Sequence, residues 1–144
     1  YYGERWASER VIDEHPTFSD HYYNTLVPAV DANNNDLKNS TILPPAAAVP
    51  LATFTSWNLR ALQTGGERAL ARLSGGYIPY AKDDEAANAN GDKRDSIASL
   101  YNSFEDYLQK YESATDTLIK DGYLLSGFKP AYMRIAQAMK TVFE

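Results

Sequence analysis

The stretch SFEDYLQKYESATDTLIKDG, residues 103–122, predicts the clearest helix of the chain. Ser103 stands directly before the helix and Asp106 follows three residues later, which resembles the spacing of a capping box. Gly122 is placed to end the helix, because glycine readily adopts the left-handed conformation of a C-terminal cap. Between these ends, side chains recur at helical spacing and form one face that we expect to be buried. The residues of this face are Phe104, Tyr107, Leu108, Tyr111, Ala114, Thr115, Leu118 and Ile119.

A last helix is predicted at about 130–143, because Pro130 suits the first turn of a helix. Its expected apolar face consists of Tyr132, Ile135, Ala136, Met139 and Phe143.

The first half of the chain predicts shorter elements. Asn and Asp residues at 31–36 indicate a turn between two short extended arms, since both residue types favour turns. Prolines exclude these arms from the centre of a sheet, and the stretch Pro44–Pro50 is expected to be an extended connector. The fold class is therefore mainly α with a short β-hairpin or extended N-terminal excursion.

The stretch between residues 52 and 95 is predicted to alternate short helices with loops. Thr55 or Ser56 can cap a helix over 57–62, because their side-chain oxygens accept backbone N–H groups. The remaining predictions are a helical turn at 67–73, an extended apolar crossing at 77–80, and a polar surface helix with a following loop at 81–95.

Composition excludes several classes of function. The 144 residues suffice for one domain. A net charge of −5 argues against a general nucleic-acid backbone binder. No apolar run approaches the roughly 18 residues of a membrane span, so the chain is predicted to be soluble. Because cysteine is absent, disulfides, zinc–thiolate sites and cysteine nucleophiles are excluded. The compartment stays open, and a secreted or periplasmic location is slightly favoured.

A complete serine hydrolase centre is not visible in the sequence. A nucleophile elbow requires the pattern G-x-S-x-G, because glycines must clear the sharp turn around the serine. Ser74 comes nearest, but Arg72 occupies the position of the first glycine. We therefore interpret Ser74 and the glycines that follow it as a helix stop and turn.

The two histidines, His15 and His21, are candidates for a metal site together with Glu14 and Asp20. Their spacing is not that of neighbours on one helix face, and Pro16 interrupts a helix there. Solvent-exposed histidines are the favoured interpretation, and a general-base role lacks a nearby nucleophile.

The pattern Asp31-x-Asn33-x-Asn35 copies the first three ligands of a calcium loop. Asp36 replaces the required glycine, and Ile42 replaces the bidentate glutamate. A turn is the favoured interpretation.

Four weaker signals have simpler explanations. Residues 39–41 form a glycosylation sequon that matters only in a eukaryotic secreted protein. The carboxylates at 83–85 are adjacent, so they do not share a helix face. Residues 64–66 could place an anion at a helix N-terminus, and the eleven tyrosines could stack on a sugar. A helix break explains residues 64–66, and a partly buried core explains the tyrosines. No catalytic, cofactor-binding or metal-binding residue is therefore assigned in this chain.

Three stretches in order resemble the C-terminal region of large bacterial α/β-hydrolase-domain proteins. They are LVPAVDAN at 26–33, VPLATFTSWNLR at 49–60, and GYIPYAK at 76–82 continuing through GDKRDSI to residue 101. The amphipathic helix and a Leu-Leu segment at 124–125 follow in the same order. The resemblance covers about residues 26–125, and residues 1–25 match it poorly.

The resemblance implies a serine hydrolase acting on ester-type substrates. Its nucleophile elbow and catalytic histidine would lie upstream of the matched region, so no catalytic residue is carried over. Residues 26–144 would be a C-terminal element that packs on the hydrolase sheet and borders the substrate cleft. Trp57, Asn58 and Arg60 lie in the most family-like stretch without an assigned role. Because the chain does not begin with Met, we expect a preceding segment.

The implied partner is the remainder of the hydrolase polypeptide or a partner subunit. A rival hypothesis is a non-catalytic module that binds a protein or glycan through tyrosine-rich faces. A metal-dependent enzyme using His15 and His21 ranks last.

Overall fold

The computed structural model describes residues 5–12, 29–37, 41–58, 60–61, 63, 71 and 75–144. Over these residues the protein is mainly helical with a two-stranded antiparallel sheet, which confirms the mainly α prediction. None of the described helices has the length and apolar character needed to cross a membrane. The elements are α1 (Arg5–Glu9), α2 (Pro45–Ala48), β1 (Ala52–Thr55), β2 (Gly76–Pro79), α3 (Asp84–Ala89), α4 (Ile97–Leu100), α5 (Phe104–Lys120), a 3-10 turn (Ser126–Phe128), α6 (Lys129–Ala138) and a second 3-10 turn (Met139–Val142).

Both predicted ends of helix α5 are confirmed. The Ser103 hydroxyl accepts the backbone N–H of Asp106 at 3.2 Å. The Asp106 carboxylate accepts the N–H of Asn102 at 3.0 Å, one residue earlier than in a regular capping box. Gly122 has a φ of +81°. Its N–H donates to the Ile119 carbonyl and that of Tyr123 to the Leu118 carbonyl, which is the Schellman arrangement.

Tyrosines dominate the core on the buried face of α5. Tyr107 and Tyr111 are buried there and form aromatic contacts with each other. Tyr101 contacts Tyr107 edge to face, and its hydroxyl donates to the Pro50 carbonyl at 2.8 Å. Burial raises the pKa of both Tyr101 and Tyr107. These residues therefore belong to the core and not to a sugar-stacking surface. The buried cluster contains Val49, Leu51, Tyr80, Ile97, Tyr101, Tyr107, Tyr111 and Ala136.

Helix α6 packs against α5 with a narrower face than predicted. Ala136 is fully buried, but Ile135 is 52% exposed, so its assignment to the buried face is wrong. Ile135 precedes Ala136 and therefore points about 100° away from it around the helix, outside the face that is buried. The helix also ends at Ala138, and the following residues form a 3-10 turn instead of continuing to 143.

Two predictions in the first half of the chain are wrong. The Pro44–Pro50 connector contains helix α2, because proline fits a first helical turn and three alanines follow it. The predicted helix at 57–62 is not formed at its described residues, which are 57, 58, 60 and 61. Thr55, one of the two predicted caps, belongs to β1 instead. The Thr55 hydroxyl donates to the Trp57 carbonyl and accepts the Gly76 N–H, so it joins two strands instead of capping a helix. The helical turn predicted at 67–73 lies outside the described residues, apart from Ala71, which is not helical.

Strands β1 and β2 pair antiparallel, with Ala52 opposite Pro79 and Thr55 opposite Gly76. The extended crossing predicted at 77–80 thus forms most of β2, and the polar helix predicted within 81–95 is α3. Glycine is required at the start of β2, because a Cβ on Gly76 would lie 2.5 Å from the Thr55 hydroxyl oxygen. The sequence analysis did not predict α1 or α4.

Substituting Gly122→Ala is expected to destabilise the protein by about 1 kcal/mol, because alanine is strained at this positive φ. A new Cβ would meet nothing within 4 Å, so the effect isolates backbone strain. Gly127→Ala is the matched control, since its Cβ also enters open space and its φ is not in the left-handed region. Urea unfolding measures both variants, and equal stability of the two would contradict the prediction.

Candidate functional site

A cleft of about 930 Å³ lies between the hairpin at 30–36, the two-stranded sheet and the loop at 90–94. Its size is within the range of small-molecule sites. Apolar side chains form much of the lining, and several of them are strongly exposed. The lining contains Val30, Asn34, Asp36, Thr53, Phe54, Thr55, Ser56, Trp57, Ile78, Asn90, Asp92 and Arg94.

The calcium-like pattern at Asp31 forms a turn, as the sequence analysis favoured. The Asp31 Oδ1 atom accepts the backbone N–H groups of Asn33 and Asn35, both at 2.9 Å. Asn34 has a φ of +61°, and Val30 forms a bridge with Asp36. Among the residues that the structure describes, no group of three or more histidines and carboxylates is arranged to hold a metal.

Asn35 joins the hairpin to the sheet. Its side chain is buried, and its Nδ2 group donates to the Ala52 carbonyl and to the Tyr80 hydroxyl. Its Oδ1 atom accepts the Phe54 N–H at 2.8 Å. Both donors and the acceptor of this amide are therefore used inside the protein.

Asn33 makes a second connection from the same turn. It exchanges two hydrogen bonds with Asp95: its Nδ2 donates to Oδ2, and its Oδ1 accepts the backbone N–H. The Thr53 hydroxyl donates to the Asn33 carbonyl at 2.6 Å. The hairpin is thus held against both β1 and the loop that follows α3.

Arg94 uses all five of its N–H groups within the chain. Nε donates to Asp92 Oδ1 at 2.9 Å, and Nη2 donates to Asp92 Oδ2 at 2.6 Å and to the Pro79 carbonyl. Nη1 donates to the Thr53 hydroxyl and to the Ile78 carbonyl. The guanidinium also lies over the Tyr80 ring, 5.1 Å from its centre. Since guanidinium carries five donors, none remains for a ligand in this arrangement.

The ionisation of the site follows from these bonds. Hydrogen bonds from Arg94 lower the pKa of Asp92 to about 2. Burial, followed by the charge of Asp31, raises the pKa of Tyr80 to about 12. At neutral pH Asp92 is a carboxylate and Tyr80 is a neutral phenol, so neither is suited to proton transfer.

Both threonine hydroxyls of the lining are engaged within the chain. The Thr53 hydroxyl donates to the Asn33 carbonyl and accepts from Arg94. The Thr55 hydroxyl donates to the Trp57 carbonyl and accepts the Gly76 N–H. Both histidines of the sequence, His15 and His21, lie outside the described residues. The apolar side chains that line the cleft are suited to binding.

Trp57, Asn58 and Arg60, which lie in the stretch that most resembles the hydrolase family, have different surroundings in the structure. Trp57 lines the cleft with half of its surface exposed. The Asn58 carbonyl accepts the N–H of Ala71 at 2.8 Å, whereas Arg60 is exposed and is not part of the described lining.

Two of the three carboxylates at 83–85 have structural roles at the start of α3. Asp83 caps the helix by accepting the Ala86 N–H, and Asp84 accepts the hydroxyl of the buried Ser96. The remaining candidates lie outside the described residues, and they are Glu14, His15, Asp20, His21, Asn39, Ser40, Thr64, Gly65, Gly66, Arg72 and Ser74.

Arg94 and Thr53 were missed as site residues by the sequence analysis. They are 41 positions apart in sequence, so no local pattern could pair them. One local feature of the sequence could have indicated Arg94 as a site residue. Asp92 lies two residues before it, and this spacing allows an ion pair within one loop.

Substituting Asn35→Asp is expected to destabilise the protein by about 3 kcal/mol, because the carboxylate cannot donate to Ala52 and Tyr80 and is itself buried. Asn34→Asp makes the same chemical change at an exposed neighbour whose positive φ aspartate tolerates. Thermal and urea unfolding of both variants measure the difference. Similar losses in the two would mean that the buried amide does not hold the hairpin.

The stabilising contribution of Asp92 is expected to depend on pH. Because folding lowers its pKa from 3.8 to about 2, the contribution is fully present above pH 4 and is lost as pH falls to 2. The stability difference between the wild type and Asp92→Asn should therefore shrink over this range. Urea unfolding between pH 7 and pH 2 measures it, and a constant difference would contradict the role of the ion pair.

Comparison with known proteins identifies one relationship. A family model described as an alpha/beta hydrolase domain matches residues 4–134. The match is longer than the stretch over which the resemblance was noted and includes all the described residues of the cleft. Neither a curated protein nor a solved structure shows significant similarity to the chain.

Proposed function

The chain belongs to the alpha/beta hydrolase domain family, and we propose that it is the C-terminal element of a serine hydrolase acting on ester-type substrates. Its cleft borders the substrate, and the nucleophile and its base come from residues that do not belong to this chain. The observation that carries this proposal is the cleft of about 930 Å³ lined by exposed apolar side chains.

The chemistry of the lining supports a role in binding. Phe54, Trp57 and Ile78 offer apolar surface to an alkyl or aryl group, and burial of such a group is favourable at roughly 25 cal/mol per Å². Among the polar residues of the same lining, Arg94, Asp92 and the two threonines make hydrogen bonds within the chain. A preformed apolar site of this kind orients an ester without taking part in proton transfer.

The helical side of the molecule supports contact with further hydrolase structure. Leu125 is 73% exposed, and Tyr123, Phe128 and Ile135 are also strongly exposed. Contiguous apolar patches mark surfaces that pack on another element, and we propose that these four side chains contribute to one such patch. We assign this surface to contact with the hydrolase sheet, as the partner implied by the resemblance.

A non-catalytic binding module is the second candidate. Phe54 and Tyr77 form an edge-to-face pair on the sheet, with ring centres 5.4 Å apart and both side chains exposed. Such a pair could stack on a glycan or a partner protein.

A fluorophosphonate probe distinguishes the two candidates, because it labels the activated serine of a serine hydrolase. We expect labelling of the protein that carries this chain, with the modified serine in a peptide that does not belong to the 144 residues of this chain. The denatured intact mass of every polypeptide in the sample shows which one carries the label. A folded protein that neither reacts with the probe nor cleaves esters, but binds a glycan or protein, would support the binding module.

Substituting Trp57→Ala is expected to raise the KM for a neutral aryl ester about tenfold with a small change in kcat, because the indole contributes apolar contact to the bound group. Trp6→Ala is the matched control, since Trp6 is not part of the described lining. Steady-state kinetics measure both variants. A KM unchanged by Trp57→Ala would remove the cleft from the substrate site.

A further inference from the structure

We propose that Asp92 is a specificity-determining residue that acts through Arg94: by occupying the guanidinium, it makes the cleft accept uncharged and cationic groups and reject anions. The inference rests on the proposed function, because it assigns a substrate class to the same cleft. Asp92 is a positioning residue in this scheme, since its effect on the ligand passes through Arg94.

The first step concerns the donors available to an anion. Arg94 is the only cationic side chain in the described lining, and an arginine in a cleft commonly binds carboxylate or phosphate. Here both oxygens of Asp92 and three further oxygens of the strands accept its N–H groups. An anionic substrate would have to displace Asp92 to reach the guanidinium.

The second step concerns the charge of the lining. Asp36 and Asp92 contribute two negative charges and Arg94 one positive charge, so the described lining carries a net charge of −1. Asp31 and Asp95 lie close by, since both are hydrogen-bonded to residues of the hairpin that borders the cleft. The potential in the cleft therefore opposes an anion and favours a cation.

The third step concerns the apolar walls. The exposed ring of Trp57 lies in the same cleft as these carboxylates. Aromatic faces attract quaternary ammonium groups as well as neutral rings. The combination suits the uncharged or cationic acyl or alcohol group of an ester.

Asp92→Asn should change this selectivity in a direction that loss of structure cannot produce. The amide retains one acceptor for Arg94 but carries no charge, so at least one N–H becomes available to a ligand. Affinity for an anion should then rise roughly tenfold, as for one charge-assisted hydrogen bond. Asp36→Asn makes the same change in charge without touching Arg94 and should raise anion affinity by about threefold or less.

The test uses three ligands that share a phenylmethyl group: benzyl alcohol, benzyltrimethylammonium and phenylacetate. Dissociation constants are measured by ligand-detected NMR titration with the complete protein. In the wild type we expect phenylacetate to bind about tenfold more weakly than benzyl alcohol. We expect benzyltrimethylammonium to bind at least as tightly as benzyl alcohol. Trp57→Ala should weaken the binding of all three, which locates them in the cleft.

The wild-type ranking alone can overturn the proposal, so the test does not require every variant to fold. Phenylacetate binding as tightly as benzyl alcohol, or no binding of any of the three, would overturn it. Equal gains in phenylacetate affinity from Asp92→Asn and Asp36→Asn would overturn the role assigned to Arg94. A larger gain from Asp92→Asn, with benzyl alcohol unchanged, would support it.

An ester-hydrolysis assay on the same preparation separates the specificity proposal from the proposed hydrolase function. Its substrate is the acetate ester of phenol, which is distinct from the anionic ligand phenylacetate. Ester hydrolysis combined with tight binding of the phenylacetate anion would overturn the proposed rejection of anions but would support the hydrolase function. The expected ranking without any ester hydrolysis or fluorophosphonate labelling would overturn the hydrolase function and leave the selectivity of the cleft.

Discussion

The guanidinium of Arg94 is the interaction on which the cleft depends. Its five N–H groups reach β1 through Thr53, β2 through the carbonyls of Ile78 and Pro79, and its own loop through Asp92. A sheet of two short strands is marginal by itself, because it buries little apolar surface. The planar guanidinium, with five donors in fixed positions, compensates for this small buried surface because it joins β1, β2 and its own loop. A lysine could not make these bonds with the same geometry.

Tyr80 connects this polar arrangement to the hydrophobic core. It belongs to the buried cluster with Tyr101, Tyr107 and their neighbours, and its ring lies under Arg94 while its hydroxyl accepts from Asn35. Tyrosine suits this position because it has a large apolar body and a polar end. The packing of α5 and the shape of the cleft are consequently coupled through one side chain, so damage to the core is expected to reach the cleft.

Local features of the fold were predictable, and long-range ones were not. The hydroxyl of Ser103 and the positive φ of Gly122 set the ends of α5 from positions that directly flank the helix. The pairing of β1 with β2 depends on the Thr55 hydroxyl meeting Gly76, 21 residues later. The same applies to the site: the turn at Asp31 is local, but the contact of Asn33 with Asp95 spans 62 residues. The local pattern of a single sequence does not indicate which residues so far apart along the chain will be in contact.

A cleft whose arginine and threonine side chains already make hydrogen bonds within the chain contributes shape and charge to a reaction more readily than it contributes proton transfer. Catalytic acids, bases and nucleophiles require a pKa near the working pH and an accessible lone pair or proton. In the described lining, Asp92 is held ionised by Arg94 and the threonines are held by backbone partners. These same bonds keep the cleft preformed, which lowers the entropy lost when a ligand binds. The proposed function agrees with this constraint, because it assigns the geometry of the bound group to this cleft and the reacting atoms to another segment.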